Sequence, residues 1–231
     1  GGLEAVRGLA RAPVEVTVVD RHNHHTFQPV LYQVATAALS PAHIAWPIRA
    51  ILREQKILRI LLGSVSRVDP AARIVRTPEF EVPYDFLVLA TGATHSYFGH
   101  DEWAPVAPGL KDLRDARSIR HSLLCSFERA EYETDPERQK ALLTFVIVGG
   151  GPTGVELAGA IAEVAPQTLR RDFRRIDPRR ACIVLIEATP RILTPYPEKL
   201  SQYALRAHKR KGVDVRLDTR VTACTEEGAE T

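Results

Sequence analysis

LLTFVIVGGGPTGVELAGAIAEVA, residues 142–165, decides the fold. Leu142 to Val148 is a run of apolar and β-branched residues, the composition of a strand buried in a sheet. Gly149 to Gly154 breaks that run, and Val155 to Ala165 then sets small and apolar residues at helical spacing. A strand, a GxGxxG turn and a helix in this order form the bend on which a dinucleotide rests its pyrophosphate. Gly149 permits the tight turn, Gly151 lets the backbone approach the diphosphate, and Gly154 lets the helix close on the strand. Pro152 and Thr153 complete the loop, and amides at the helix start would hold the anion. The same turn could serve a structural α/β domain without any cofactor.

The following elements favour the cofactor. Cys182 to Ile186 (CIVLI) reads as a second strand and ends in Glu187, whose carboxylate could accept hydrogen bonds from both ribose hydroxyls and repel a 2′-phosphate. NADH is therefore expected over NADPH. Glu187 lies 36 residues after Gly151, where the fingerprint expects about 20. The excess falls in QTLRRDFRRIDPRR, residues 167–180, expected to be a helix extension and loop with a solvated basic face. Ser201 to Arg210 reads as a helix and Val213 to Leu217 as a third strand, which gives the doubly wound α/β alternation.

The first half shows a weaker copy of the pattern. Gly1 and Gly2 precede a helix over Leu3 to Ala10, and a strand over Val14 to Val19 ends in Asp20, 18 residues after Gly2. Ile44 to Arg53 is expected to be a helix and Ile57 to Leu62 a strand. Val65 to Val75 should pass through an Asp69-Pro70 turn into another strand. Phe86 to Leu89 (FLVL) should be a strand buried on both faces, and Ala90-Thr91-Gly92 a small turn at its carboxyl end, where open sheets bind ligands. Ala116 to Ala130 reads as a helix, and Thr134 to Gln139 as a polar connection.

Composition excludes several classes. The chain has 231 residues and a net charge of +3, with no basic patch interleaved with aromatics, so nucleic acid is not an expected partner. No apolar run approaches the ~20 residues of a membrane span. His22, His24 and His25 sit on a loop without accompanying cysteine or carboxylate clusters, and no metal is expected. The absence of methionine and the Gly1-Gly2 opening read as a fragment that lacks a first strand and a C-terminal part.

Three stretches carry a family resemblance. YDFLVLATGATHSYFG (84–99) is similar to the segment closing the FAD lobe of flavoproteins with two dinucleotide-binding domains. DRHNHHTFQPVLYQVATAALSP (20–41) and TFVIVGGGPTGVELAGAIAE (144–163) resemble the type II NADH:quinone oxidoreductases. FQPVLYQVAT is the most family-specific block. The resemblance implies an α/β fold of two Rossmann-like lobes. Residues 1–112 would be the FAD lobe, lacking its first strand, and 113–231 the NADH lobe.

It also implies roles for individual residues. Gly1 and Gly2 would lie at the FAD pyrophosphate and Asp20 at its adenosine ribose, with Val65 presenting backbone to the adenine. Ala90, Thr91 and Gly92 would line the cofactor, and Gln33 to Thr36 would lie near the flavin. Glu156, in GVELAG, would orient the nicotinamide, while the cofactors themselves carry the hydride.

Flavin disulfide reductases need a redox cysteine pair, whereas Cys125, Cys182 and Cys224 stand apart outside both places where such a pair occurs. Electrons from reduced flavin should then pass to a diffusible acceptor, and the resemblance implies a membrane quinone, without proton pumping. It further implies a protein peripheral to the cytoplasmic face of a bacterial inner membrane, or cytoplasmic, attached through a part beyond Thr231 and compatible with a homodimer. The alternatives are a ferredoxin-type reductase and an NADH-binding redox sensor resembling the apoptosis-inducing-factor-like flavoproteins.

Overall fold

The computed structural model describes residues 1–167, 169 and 172–231. In chain order the elements begin with α1 (Gly2–Gly8), β1 (Val16–Asp20), β2 (His24–Thr26), α2 (Leu31–Ala35), β3 (Ala45–Pro47) and α3 (Ile48–Ile51). Then come β4 (Leu58–Leu62), β5 (Arg67–Asp69), β6 (Ile74–Arg76) and β7 (Glu81–Pro83). The chain continues through α4 (Leu113–Tyr132), α5 (Pro136–Leu142), β8 (Thr144–Val148) and α6 (Pro152–Gln167). It ends with β9 (Cys182–Ile186), α7 (Glu198–Arg210), β10 (Val213–Arg216), β11 (Ala223–Thr225) and β12 (Gly228–Glu230). The chain divides into two compact units, Gly1–Phe27 with Ala42–Thr94 and Gln28–Pro41 with His95–Thr231. The fold class is the expected one: α/β, Rossmann-like, with parallel sheets.

In the first unit β1 pairs in parallel with β4, from Val16 opposite Leu58 to Asp20 opposite Leu62. Val6 of α1 packs with Ile48 and Leu52, and Val16, Val18, Leu58 and Ile60 of the two strands close over them. β5, β6 and β7 form an antiparallel meander.

Two expectations fail here. Residues 44–53 are not one helix, because Ala45–Pro47 pairs antiparallel with His24–Thr26 and only Ile48–Ile51 is helical. Pro47 has no N–H to give a helix and biases Trp46 toward extended backbone, so the helix can begin only after it. Nor is Phe86–Leu89 a strand: Phe86, Val88 and Leu89 are 91%, 64% and 70% exposed. An apolar run becomes a buried strand only where neighbours pair with it, and among the described residues β1 pairs with β4 alone.

In the second unit β8, β9 and β10 make a parallel sheet of order β10-β9-β8. β9 is central and its last four residues are buried, which accounts for the unbroken apolar CIVLI. β8 is less buried than expected, with Val146 and Val148 about half exposed, because it lies at an edge of the described sheet. α4 crosses this unit, its buried Phe127 set between Phe145 of β8 and Phe173.

The expected polar connection at 134–139 contains the start of α5. Asp135 caps that helix by accepting from the amides of Glu137 and Arg138, and Pro136 occupies its first turn. Of the expected helix extension and loop over 167–180, positions 168, 170 and 171 lie outside the described residues. Glu131 of α4 receives the amides of Arg174, Arg175 and Ile176 at 2.9–3.1 Å, which ties the far side of the insertion to the core.

α4 begins with a capping box. Asp112 accepts from Arg114 and Asp115 amides at 2.7 and 3.0 Å, and Asp115 accepts in return from the Asp112 amide. Burial opposes the charge of Asp112, yet the two amides and the Arg114 guanidinium hold its carboxyl below the ordinary value of 3.8. Asp112→Ala is therefore expected to cost about 1 kcal/mol at neutral pH. A depressed acid stabilises above its unfolded pKa, so the difference from wild type should shrink as pH falls below 3.8, which melts at pH 7 and pH 3 would show.

Candidate dinucleotide site

β8 delivers the chain into the glycine turn. The ladder with β9 continues one step past the strand, the Gly149 amide donating to the Ile186 carbonyl at 2.8 Å. Gly149 then takes φ +103°, a left-handed conformation that side chains disfavour. Gly154 has a different reason to be glycine: a Cβ there would stand 2.0 Å from the Gly149 carbonyl oxygen, so α6 crosses the turn at a distance no other residue allows. A Cβ on Gly151 would meet nothing within 4 Å. That open side is where a ligand could approach the backbone.

α6 starts at Pro152, which has no amide to leave unpaired. First-turn amides of a helix lack partners inside it, and this turn offers those of Gly151, Thr153 and Gly154 to an anion, at the positive end of a 16-residue helix.

Glu187 follows directly on β9, and its carboxylate turns toward the glycine turn. Oε2 accepts from the Gly150 amide at 2.6 Å, while Oε1 accepts from the amide and hydroxyl of Thr189, each at 2.8 Å. The side chain is only half-buried: Oε2 keeps a lone pair for a sugar hydroxyl, and Oε1 frees one when the Thr189 hydroxyl turns to the Arg191 carbonyl. Glycine turn, helix start and acid thus meet within the second unit despite the long insertion between them. The carboxylate–glycine arrangement fits a nicotinamide dinucleotide.

Glu156 is the fifth residue of α6, just past the first turn, and reaches solvent. Burial still pushes its carboxyl above the ordinary value of 4.5. The same stretch of the helix is braced by His208, a residue that no sequence motif marks. It is 7% exposed, and its ring nitrogens lie 2.9 and 2.8 Å from the carbonyl oxygens of Ala204 and Val155. Gly159 faces that ring, and a Cβ there would lie 3.4 Å from Nε2. No sequence pattern signals such a contact between helices distant in the chain.

Also in the second unit, the Gln33 amide donates to the Tyr32 hydroxyl at 3.0 Å. Thr36 is buried and gives its hydroxyl to the Tyr32 carbonyl at 2.9 Å.

The first unit carries its own candidates. Asp20 ends β1 and accepts from the His22 amide at 2.8 Å. Gly1 and Gly2 lie against Ala90, with a Cβ on Gly2 placed 3.2 Å from the Ala90 side chain. The structure thus brings the start of α1 together with the Ala90-Thr91-Gly92 turn, where Gly92 takes φ +74°. Val65 is exposed between β4 and β5.

Cys125, Cys182 and Cys224 are free thiols. No group of three or more His, Cys, Asp or Glu side chains could hold a metal among the described residues, His22, His24 and His25 included. No helix of the described residues is long and apolar enough to cross a membrane.

Known proteins resemble this chain in sequence and fold. The family model described as pyridine nucleotide-disulphide oxidoreductase matches residues 1–231. The type II NADH:quinone oxidoreductase Ndh of Mycobacterium tuberculosis is 46% identical over 226 residues, 96% of this chain and 49% of that protein. Its NdhA counterpart in the same organism is 45% identical over 232 residues, 99% of this chain and 49% of the relative. The chain therefore spans about half the length of these curated relatives. A solved structure of NDH2 from Plasmodium falciparum in complex with NADH superposes with a TM-score of 0.84 at 24% identity, covering 92% of this chain and 44% of that one. At that identity the superposition speaks for the fold. The likeness to type II NADH:quinone oxidoreductases read from FQPVLYQVAT and the glycine segment is borne out by these relatives, and the chain belongs to the pyridine nucleotide-disulphide oxidoreductase family.

Proposed function

We propose that this chain is the nucleotide-binding part of an FAD-dependent NADH:quinone oxidoreductase. The observation that carries the reading is the Glu187 carboxylate held 2.6 Å from the Gly150 amide, beside the open face of Gly151. In this reading the NADH pyrophosphate sits on the amides of Gly151, Thr153 and Gly154, with Pro152 shaping the helix start. Glu187 accepts from both hydroxyls of the adenosine ribose. Its charge would repel the 2′-phosphate of NADPH, so NADH is the donor.

In the first unit Asp20 takes the adenosine ribose of FAD, Gly1 and Gly2 approach its pyrophosphate, Val65 borders the adenine, and Ala90, Thr91 and Gly92 line its other side. When bound, FAD supplies the hydride-accepting and electron-passing chemistry. The names of the relatives support quinone as the acceptor. Peripheral attachment to a membrane is the setting in which such an enzyme would meet a quinone.

Glu156 orients the nicotinamide carboxamide by accepting its N–H. Glu156→Gln is expected to lower kcat about tenfold with a smaller change in KM, because a lost charged hydrogen bond misplaces the reacting ring. Its raised carboxyl means that the folded chain holds the proton more firmly than the unfolded one. Stability should therefore fall as pH rises from 4.5 through the raised value, and Glu156→Gln should remove that slope.

Steady-state turnover by the purified full-length protein tests the reading. Rapid oxidation of NADH, dependent on FAD and a soluble quinone and much slower with NADPH, is expected. Absence of NADH oxidation in flavin-loaded protein would end it.

A further inference from the structure

Gly149 is glycine for its backbone angle and Gly154 for the close crossing of α6. Gly150 has neither reason. Its φ is not among the left-handed ones, and it does not face the helix. What a side chain there would meet is Ile192 Cγ2 at 2.7 Å, Glu187 Oε2 at 2.9 Å and Glu187 Cβ at 3.1 Å. We propose that Gly150 is a positioning residue for Glu187. Its missing side chain leaves the space the carboxylate occupies, and its amide fixes the carboxylate there for the ribose.

The segment after β9 holds both partners. Ile192 is fully buried and has nowhere to retreat. The Leu193 amide donates to the Gly150 carbonyl at 2.7 Å, with Leu193 itself at φ +54°, a conformation a leucine adopts only where its surroundings impose it. The Arg191 guanidinium donates to the carbonyls of Thr194 and Tyr196 at 2.7 and 2.9 Å, closing the segment on itself. Gly150 is thus gripped at its N–H by Glu187, at its carbonyl by Leu193 and at its Cα by Ile192.

On the other carboxylate oxygen Thr189 gives its amide. Its hydroxyl lies 2.8 Å from Glu187 and 2.9 Å from the Arg191 carbonyl, and its single proton can serve only one of them at a time. The Gly150 amide is therefore the firm hold on Oε2. The same bond removes that amide from the anion cradle, leaving Gly151, Thr153 and Gly154 for the diphosphate.

This inference rests on the reading that Glu187 binds the ribose of NADH, and its test uses the full-length, flavin-loaded enzyme. Gly150→Ala should displace the carboxylate, raising KM for NADH about tenfold with kcat within about twofold and shifting preference toward NADPH. In a Glu187→Gln background the same substitution should add nothing further to that preference, because it acts through Glu187. A packing defect would add its full effect in both backgrounds and overturn the proposal. So would a flavin-loaded Gly150→Ala enzyme with wild-type KM and preference.

If Gly150→Ala does not fold, the same substitution in an Ile192→Ala background removes the clash with Cγ2, leaves the one with Glu187 and decides instead, read against Ile192→Ala alone. A preference shift of about threefold toward NADPH supports the held carboxylate, and an unchanged preference overturns it. Failure of the wild-type enzyme to oxidise NADH at all would sink the dehydrogenase reading and this one with it. Wild-type turnover with unresponsive variants would sink this one alone.

Discussion

Gly154→Ala is expected to lower kcat/KM for NADH by about 100-fold, since overpacking costs of about 1–3 kcal/mol fall directly on the binding turn. A methyl group there would stand 2.0 Å from the Gly149 carbonyl oxygen, which is backbone and cannot rotate away. Relief comes only by lifting the first turn of α6 off the strand, and that moves the Thr153 and Gly154 amides away from the diphosphate. Gly151→Ala is the contrasting case. Its methyl meets no protein atom within 4 Å, so melting temperature should hold while NADH affinity falls, the added group occupying the space a ligand needs. Melts and NADH titrations of the two variants separate the causes. Equal melting temperatures for both, or unimpaired NADH binding by Gly151→Ala, would contradict the assignment.

Glu187→Gln should lower the ratio of NADH to NADPH efficiency about 100-fold. Roughly tenfold comes from weaker hydrogen bonds to the ribose once the acceptor loses its charge, and a similar factor from removing repulsion of the 2′-phosphate. The substitution is nearly isosteric, so little is expected from packing. Its carbonyl oxygen can still accept from the Gly150 amide or the Thr189 amide, which keeps the loop closed. Parallel kinetics with the two dinucleotides check it, and an unchanged ratio would mean that Glu187 does not face the sugar.

The reach of sequence reading differed between the two halves for a physical reason. CIVLI was read to the residue because a central parallel strand must be apolar on both faces, and β9 is central. The roles of Gly149 and Gly154 were legible because each answers to backbone geometry, which a spacing of glycines reports. FLVL is as uniformly apolar as CIVLI but has no neighbouring strands among the described residues, so apolar character alone does not make it a buried strand.

In 44–53 the apolar spacing suggested a helix, and the constraint that Pro47 places on Trp46 prevailed. The spacing from Gly151 to Glu187 is long for the fingerprint, yet the carboxylate arrives at the turn, with Arg174 and Ile176 tied back to α4 through Glu131. Gly150 and His208 leave no mark in the sequence pattern because their partners, Ile192 and Val155, are distant in sequence and follow no period.

A crystal structure of the full-length protein with NADH bound tests the central claim most directly. The account places the diphosphate on the amides of Gly151, Thr153 and Gly154, with the Glu187 carboxylate within hydrogen-bond distance of both adenosine ribose hydroxyls. A dinucleotide found elsewhere on the chain, or one bound here with Glu187 turned away from its sugar, would contradict it.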